Sequence, residues 1–426
     1  MKTRSAFLFG AGATIDWKSP STSDLTKILL DSGFRITDNT TRITKFIYDK
    51  LLSNGFNSSD VNFETIINVI EELALYYSKY QKEIPHSLYS CFFEPKFETE
   101  LFNFSVLKNE YSSRFELQIP KGKKYDFARF AHYDQTPTEL YFQYLIQGLL
   151  SDISAEVSHY SYHSESHSVI DFESEVSKDF TKWMQSKFQS SILRMYTLNY
   201  ERIFKVLLEK NGIDIFEGFH ERQETYIGKV SRANIPKILN DVESNIYYNL
   251  HGSAFWQVRD LDNYQLPHVE IFDSDFPHLQ MNDSPATLQI EKGKNILVTN
   301  IVTGFQKAQR GMIPPIRQMQ AAFDRDCCLA DELFIIGYSF NDEHINQCLK
   351  TGLRHNRNLK VKIVDPNFIK NKMDEHFSIQ IFPFTDQGFE NMRPKKVKEN
   401  LYSFHGDTFT VYTVTFGQFL KEQAID

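Results

Sequence analysis

Residues Arg4 to Phe9 form a short apolar run that stops at Gly10-Ala11-Gly12-Ala13-Thr14. A helical pattern of Leu25, Ile28 and Leu29 follows from about Ser23. An apolar run this short, bounded by glycine, reads as a buried strand. Strand, glycine turn, helix is the opening of a dinucleotide-binding α/β fold. Two glycines at a strand end let backbone N–H groups come close to a phosphate, and a helix N-terminus behind them adds a favourable dipole. A glycine turn can equally serve only the bend. The G-x-G-x-x-G fingerprint is not met, because Ile15 stands in the third glycine position. No Gly-Lys-Ser/Thr follows to make a Walker A loop.

The same alternation returns later in the chain. Ile192 to Leu198 is apolar and precedes a helical run, Tyr200 to Lys210, which Asn211-Gly212 ends. Ile246–Leu250, Asn295–Thr299, Leu333–Ile336 and Leu359–Val364 are further short runs. Asn341 is placed to cap a helix, with Asp342 and Glu343 in its first turn where the dipole favours acids. Together these predict an α/β fold, a Rossmann-like parallel sheet with helices on both faces. Between about 40 and 190 the period changes to three and four, as in Phe63, Ile66, Ile67, Ile70, Leu73, Ala74 and Tyr77. Thr136-Pro137-Thr138-Glu139 starts another helix as a capping box, and Asp171–Gln189 reads as a third. The expected organisation is a discontinuous α/β domain over 1–40 and 190–426, interrupted by a mostly helical insertion over 41–189. Pro85–Tyr133 carries no assignable pattern, and His159–His167 reads as a loop.

Composition narrows the function classes. The chain of 426 residues is 41% hydrophobic and 24% charged, as a globular protein is. No apolar run is long enough to span a bilayer, and Ala6–Phe9 is too short for a signal peptide, so the expected compartment is the cytoplasm and no membrane partner is expected. With 47 Lys plus Arg against 55 Asp plus Glu the net charge is -8, which disfavours direct nucleic-acid binding. The four cysteines, Cys91, Cys327, Cys328 and Cys348, make no C-x-x-C pair, so a four-cysteine zinc ribbon cannot be built and no metal is expected. The 37 Phe and 21 Tyr are read as core packing rather than as base-stacking platforms.

Ligands of open α/β sheets bind beyond the carboxyl ends of strands. Besides Gly10–Thr14, three strand ends there carry polar groups. Thr197-Leu198-Asn199-Tyr200-Glu201 offers an amide that can hold a ribose hydroxyl or a water, or merely cap a helix. Leu250-His251-Gly252-Ser253 offers an imidazole suited to general-base work, with a glycine giving a ligand room to approach. Ile335-Ile336-Gly337-Tyr338-Ser339-Phe340 joins a glycine and a hydroxyl just before a helix.

These four motifs in this order resemble the SIR2 (sirtuin-like) family of NAD-consuming enzymes, over roughly 5–16, 190–210, 246–256 and 332–366. They resemble in particular the bacterial antiphage-defence NADases, including those that partner a HerA-type ATPase. The resemblance implies NAD+ as substrate. It implies that Gly10, Ala11, Gly12 and Thr14 form the phosphate turn, that Asn199 positions the nicotinamide ribose and the nucleophile, and that His251 is the catalytic histidine. Gly337 and Ser339 would contact phosphates and the adenosine ribose, with Asp365 near that ribose by position. Asp16-Trp17-Lys18-Ser19-Pro20 replaces the family's Phe-Arg pair, and Glu201 replaces its Asp. The missing zinc ribbon weighs against protein deacylation, the alternative chemistry. A non-catalytic NAD or ADP-ribose sensor is the second alternative. The implied reaction is hydrolysis of NAD+ to nicotinamide and ADP-ribose. An NADase needs an off state, so regulation by assembly is expected, through a homo-oligomer, a partner ATPase or both.

Overall fold

The computed structural model describes residues 2–77, 100–108, 115–121, 124–130, 136–160, 170–225, 228–259, 268–272, 287–291, 294–304, 307, 311–370, 394–404 and 408–423. The chain opens on β1 (Thr3–Phe9), a 3₁₀ turn (Ala11–Trp17), and helices α1 (Thr22–Leu30), α2 (Ile43–Ser53) and α3 (Phe63–Tyr76). A small antiparallel sheet of β2 (Ser105–Lys108), β3 (Phe115–Lys121) and β4 (Lys124–Phe130) precedes α4 (Pro137–Ser158) and α5 (Glu175–Ser190). Next come β5 (Ser191–Thr197), α6 (Ile203–Lys210), β6 (Gln223–Thr225), β7 (Gly228–Arg232), α7 (Ile235–Asn240), β8 (Ile246–Asn249), β9 (Trp256–Arg259) and β10 (His268–Phe272). The chain continues with β11 (Thr287–Glu291), β12 (Lys294–Leu297), α8 (Ile316–Leu329), β13 (Glu332–Ile336), α9 (Glu343–His355) and β14 (Lys360–Val364). It ends with β15 (Lys395–Lys398), β16 (Leu401–Phe404), β17 (Phe409–Tyr412) and α10 (Phe416–Gln423).

The central sheet has eight strands in the order β15-β16-β17-β14-β13-β1-β5-β8. From β17 to β8 every pairing is parallel, as expected, while β15 and β16 extend the sheet antiparallel. Three lysines, Lys395, Lys396 and Lys398, line that outer edge and oppose pairing with another chain. Period-two alternation along β1 accounts for both covered faces. Ala6 and Leu8 enter one core with α8 and α9, and Phe7 and Phe9 enter another with α5, α6 and α10. The aromatic residues serve packing here: Phe7 stacks on Phe334 at 5.0 Å between centroids, and Trp183 meets Phe7 edge-on at 5.5 Å.

A third core joins α1 to α4 with Leu117 and Ile119 of β3. Helix α5 falls in the 41–189 segment yet packs on the sheet through Phe180, Trp183 and Met184. Asp16 and Trp17 explain part of this. Asp16 accepts from Gly417 N (2.8 Å) and Thr415 Oγ1 (3.1 Å), and Trp17 Nε1 donates to Ser177 Oγ (3.0 Å), so the turn after β1 pins α10 and α5.

Several local expectations need correction. Residues 294–297 form a hairpin with β11 and do not join the central sheet. A separate antiparallel sheet, β6-β7-β10-β9, follows α6. Helix α6 starts at Ile203 rather than Tyr200, and α9 takes Asp342 rather than Asn341 as its N-cap. Thr136 caps α4 by accepting from Glu139 N (3.1 Å). The glycine stop at 211–212 is as expected, with Gly212 at φ +69°. Most of Pro85–Tyr133, and His159–His167 from 161 on, lie outside the described residues. Among the described residues no helix is long and apolar enough to cross a membrane.

The order reverses at β1 and β13: the chain builds toward β5 and β8 on one side, then returns to build toward β14 and β17 on the other. At that switch point Gly12 N donates to Gly337 O (2.9 Å) and Gly10 N to Ile336 O (2.9 Å). A Cβ on Gly337, at φ +60°, would fall 2.3 Å from Ala13 N. Gly212 has a similar φ but open space around it. Gly212→Ala is therefore expected to cost about 1 kcal/mol, the left-handed penalty alone. Gly337→Ala is expected to cost roughly 2–5 kcal/mol, the same penalty plus overlap. Urea unfolding of the two variants beside wild type checks this, and equal costs would mean that the two strand-end turns can part freely.

Candidate active site

Neighbouring strand ends bring the expected site residues to one edge of the sheet. Thr197, the last residue of β5, pairs with Phe9 on one side and Asn249 on the other. Leu198 N then donates to Phe9 O (2.9 Å), and Leu250 N to Thr197 O (2.9 Å), so the turns after β1, β5 and β8 leave the sheet side by side. Asn199 lies between the other two turns. Its Nδ2 is 3.5 Å from Thr14 Oγ1, and Asn249 Nδ2 donates to its carbonyl at 3.4 Å. Both side chains expected to carry chemistry are nearly closed off, with Asn199 9% exposed and His251 2%.

Gly252 does something other than make room for a ligand. At φ +80° it lets the 299–303 segment pass, and a Cβ there would sit 2.1 Å from Asn300 O. Val302 N donates to His251 O (2.8 Å) and Ser253 N to Asn300 O (3.0 Å), which fixes the histidine backbone. Burial pushes the His251 imidazole down to about 3 despite the nearby Asp342, so the ring is neutral. Gly10 and Gly12 likewise meet Gly337, and the Gly12 amide is spent on its carbonyl.

The turn after β13 completes the ring. Phe340 adopts φ +59°, held by Asn346 Nδ2 donating to its carbonyl (2.8 Å). Asp342 N donates to the Tyr338 hydroxyl (3.2 Å), which is 2.9 Å from Asn346 Oδ1. This turn aims the first residues of α9 back across β1 and β5, and His344 Nε2 comes within 3.3 Å of His251 Nε2. Ser339 is exposed, and Asp365 Oδ1 accepts from Asn367 N (2.7 Å), capping the turn that follows β14.

Four residues beyond those expected surround the histidine. Lys307 Nζ lies 2.7 Å from Asp342 Oδ1 and 2.8 Å from Glu64 Oε1, a half-buried triad reaching from α9 to α3. Burial opposes the Lys307 charge, but the two carboxylates more than offset it and hold the ammonium on. Asp342 was visible in sequence as part of a polar helix start following the Gly-Tyr-Ser-Phe turn, whereas His344 was not singled out. Glu64 and Lys307 come from remote segments and carry no local signal. Tyr200, Ala254, Phe255 and Ile301, from the site loops, enter the α1–α4 core, and Arg202 stacks on the Phe255 ring at 3.7 Å.

Glu201 is 2% exposed, and burial raises its carboxyl to about 7 from an ordinary 4.5, against the opposing contacts of Ile203 N and the Asn199 side chain. A carboxyl with a raised value in the folded state favours its neutral form there. Its contribution to stability is complete below about 4.5 and is lost as pH rises through about 7. Glu201→Gln is expected to remove roughly 3 kcal/mol of this pH dependence. Urea unfolding at pH 5 and 8 measures it, and a slope unchanged by the substitution would show that Glu201 is ionised throughout.

No curated protein matches the chain. A family model described as a SIR2-like domain matches residues 194–384, which takes in Asn199, His251, His344 and Gly337 but leaves the Gly10–Thr14 turn outside. Domains of this kind use NAD+ and are typically enzymatic. Within a doubly covered α/β sheet, with its polar residues gathered at the strand ends, residues 194–384 are similar to a SIR2-like domain.

Proposed function

We propose that the protein hydrolyses NAD+ at the nicotinamide–ribose bond. The observation that supports this most is the placement of Asn199 and His251 on the ends of adjoining parallel strands, beside the Thr14 turn and inside a SIR2-like domain. The bond that breaks joins ribose C1′ to a positively charged ring nitrogen. Nicotinamide leaves with the bonding pair as a neutral molecule, so no strong general acid is needed. Positive charge passes to the ribose in an oxocarbenium-like transition state. Asn199 orients the ribose and the incoming water. The neutral His251 takes the water proton as oxygen bonds to C1′, giving ADP-ribose. Gly10–Thr14, Gly337, Ser339 and Asp365 are the residues proposed to hold the rest of the dinucleotide.

An antiviral defence effector that depletes NAD+ must stay off until triggered. The low exposure of both key side chains suits such an off state. The insertion is the proposed lever, since its core encloses Tyr200 and Phe255, and its Glu64 reaches Asp342 through Lys307. Assembly of several copies, or docking of a HerA-type ATPase, would act through it.

Purified protein incubated with NAD+, alone and with its candidate partner, is expected to release nicotinamide and ADP-ribose. Asn199→Ala and His251→Ala should each lower the rate by about 10²–10⁴-fold. Equal NAD+ loss in all three proteins would end the assignment, and acetylated ADP-ribose formed from an acetyl-lysine peptide would mark a deacylase instead. Light scattering on the active form is expected to show an oligomer or complex, and full activity in an isolated monomer would contradict control by assembly.

A further inference from the structure

The imidazoles of His251 and His344 face each other through their Nε2 atoms. The two Nε2 atoms are 3.3 Å apart, a distance that a hydrogen bond between one protonated and one bare nitrogen allows and that two ligands of one ion also share. A tetrahedral zinc-class ion with metal–nitrogen bonds of about 2.0–2.1 Å sets two ligand nitrogens about 3.3–3.4 Å apart. The Asp342 carboxylate supplies a third donor, and the ligand atoms of His251, Asp342 and His344 all lie within 4.8 Å of one another. Lys307 holds Asp342 Oδ1 and is itself held by Glu64, the outer support that orients a ligating carboxylate. With its two carboxylates and one ammonium, this group has one negative charge in excess beside two imidazoles, which suits a cation.

We propose that His251, Asp342 and His344 form a binding site for a divalent transition metal of the zinc class, and that metal binding switches off NAD+ hydrolysis. Two imidazoles and one carboxylate leave the fourth tetrahedral position to water. A neutral imidazole has a single in-plane lone pair. Ligation through Nε2 uses the pair with which His251 would take a proton from water. The switch rests on the proposed hydrolysis; the site itself does not.

Cobalt(II) reports the site without reference to activity, because tetrahedral cobalt absorbs far more strongly in the visible than octahedral cobalt. Tag-free, chelator-stripped full-length protein titrated with cobalt is expected to bind one ion with a tetrahedral spectrum that zinc displaces. His344→Ala and Asp342→Asn, each confirmed as folded by circular dichroism, should weaken binding about 100-fold or more. Zinc should inhibit NAD+ loss by wild type, with chelator restoring it. His344→Ala should hydrolyse NAD+ and need at least 10-fold more zinc for half inhibition. An octahedral or absent spectrum, or affinity unchanged in both variants, overturns the site. Bound zinc with unaltered hydrolysis overturns the switch. Should no form consume NAD+, the proposed hydrolysis fails while the cobalt titration still decides the site.

Discussion

The contact between Gly12 and Gly337 sets the distances of everything above the sheet. Two turns, one from each half of the central sheet, touch backbone to backbone at its switch point. No side chain fits between them, since a Cβ on Gly12 would fall 2.8 Å from Gly337 Cα and one on Gly10 2.5 Å from Gly337 O. This closeness lets the helix after β13 lean back over β1 and β5. His344 on that helix then reaches His251, which stands at the far end of the parallel run. A wider gap at the glycines would carry Asp342 and His344 away from the imidazole. The side chains proposed for catalysis are thus placed by residues that have no chemistry of their own.

Beneath the ring, buried charge keeps the strands in register. Arg194 of β5 is fully enclosed and uses its whole guanidinium: Nε on Asp326 Oδ2 (2.5 Å), and the two terminal nitrogens on Ser244 O (2.8 Å) and Asp241 O (2.9 Å). The Tyr196 hydroxyl donates to the same carboxylate (2.5 Å). One arginine therefore ties β5 to α8 and to the loop that leads into β8. Such a network contributes less to stability than the same volume of apolar packing would, but removing either partner leaves a buried charge uncompensated. The Glu64–Lys307–Asp342 triad obeys the same rule nearer the site. It couples α3 to α9 by a means that apolar packing could not supply, because it places charge beside His251.

Short apolar runs ending in glycine or polar residues made the parallel sheet and its functional edge legible in the sequence. Asn199 and His251 could be singled out because each follows such a run directly. The purpose of the glycines could not be read that way. Gly10, Gly12 and Gly252 look like openings for a ligand, and in the fold each admits another stretch of backbone, which depends on where residues 337 and 300 lie. Asp342 was legible as part of a helix start but not as a neighbour of His251, and His344 after it carried no signal, since their direction comes from the left-handed Phe340. Asn295–Thr299 matched a core strand in length and hydrophobicity, and in the fold residues 294–297 pair with β11 instead of joining the central sheet. Lys307 and Glu64 show how far local pattern reaches: an ion triad drawn from three remote segments leaves no spacing to read.

The electrostatics around His251 are consistent with one view of the chemistry. Positive charge spreads over the ribose as the nicotinamide bond breaks, so a transition state of this kind gains from nearby negative charge fixed in a dry site. Asp342 supplies that charge next to a neutral base, and Glu64 keeps Lys307 from cancelling it. A field that favours an oxocarbenium ion will also attract other cations of suitable size, and two imidazole nitrogens at chelating distance make a transition metal the best fitted of them. A divalent ion there would oppose the ribose charge through its own, besides occupying the lone pair of the base. Susceptibility to metal would then be a direct consequence of the charge arrangement that the proposed hydrolysis requires.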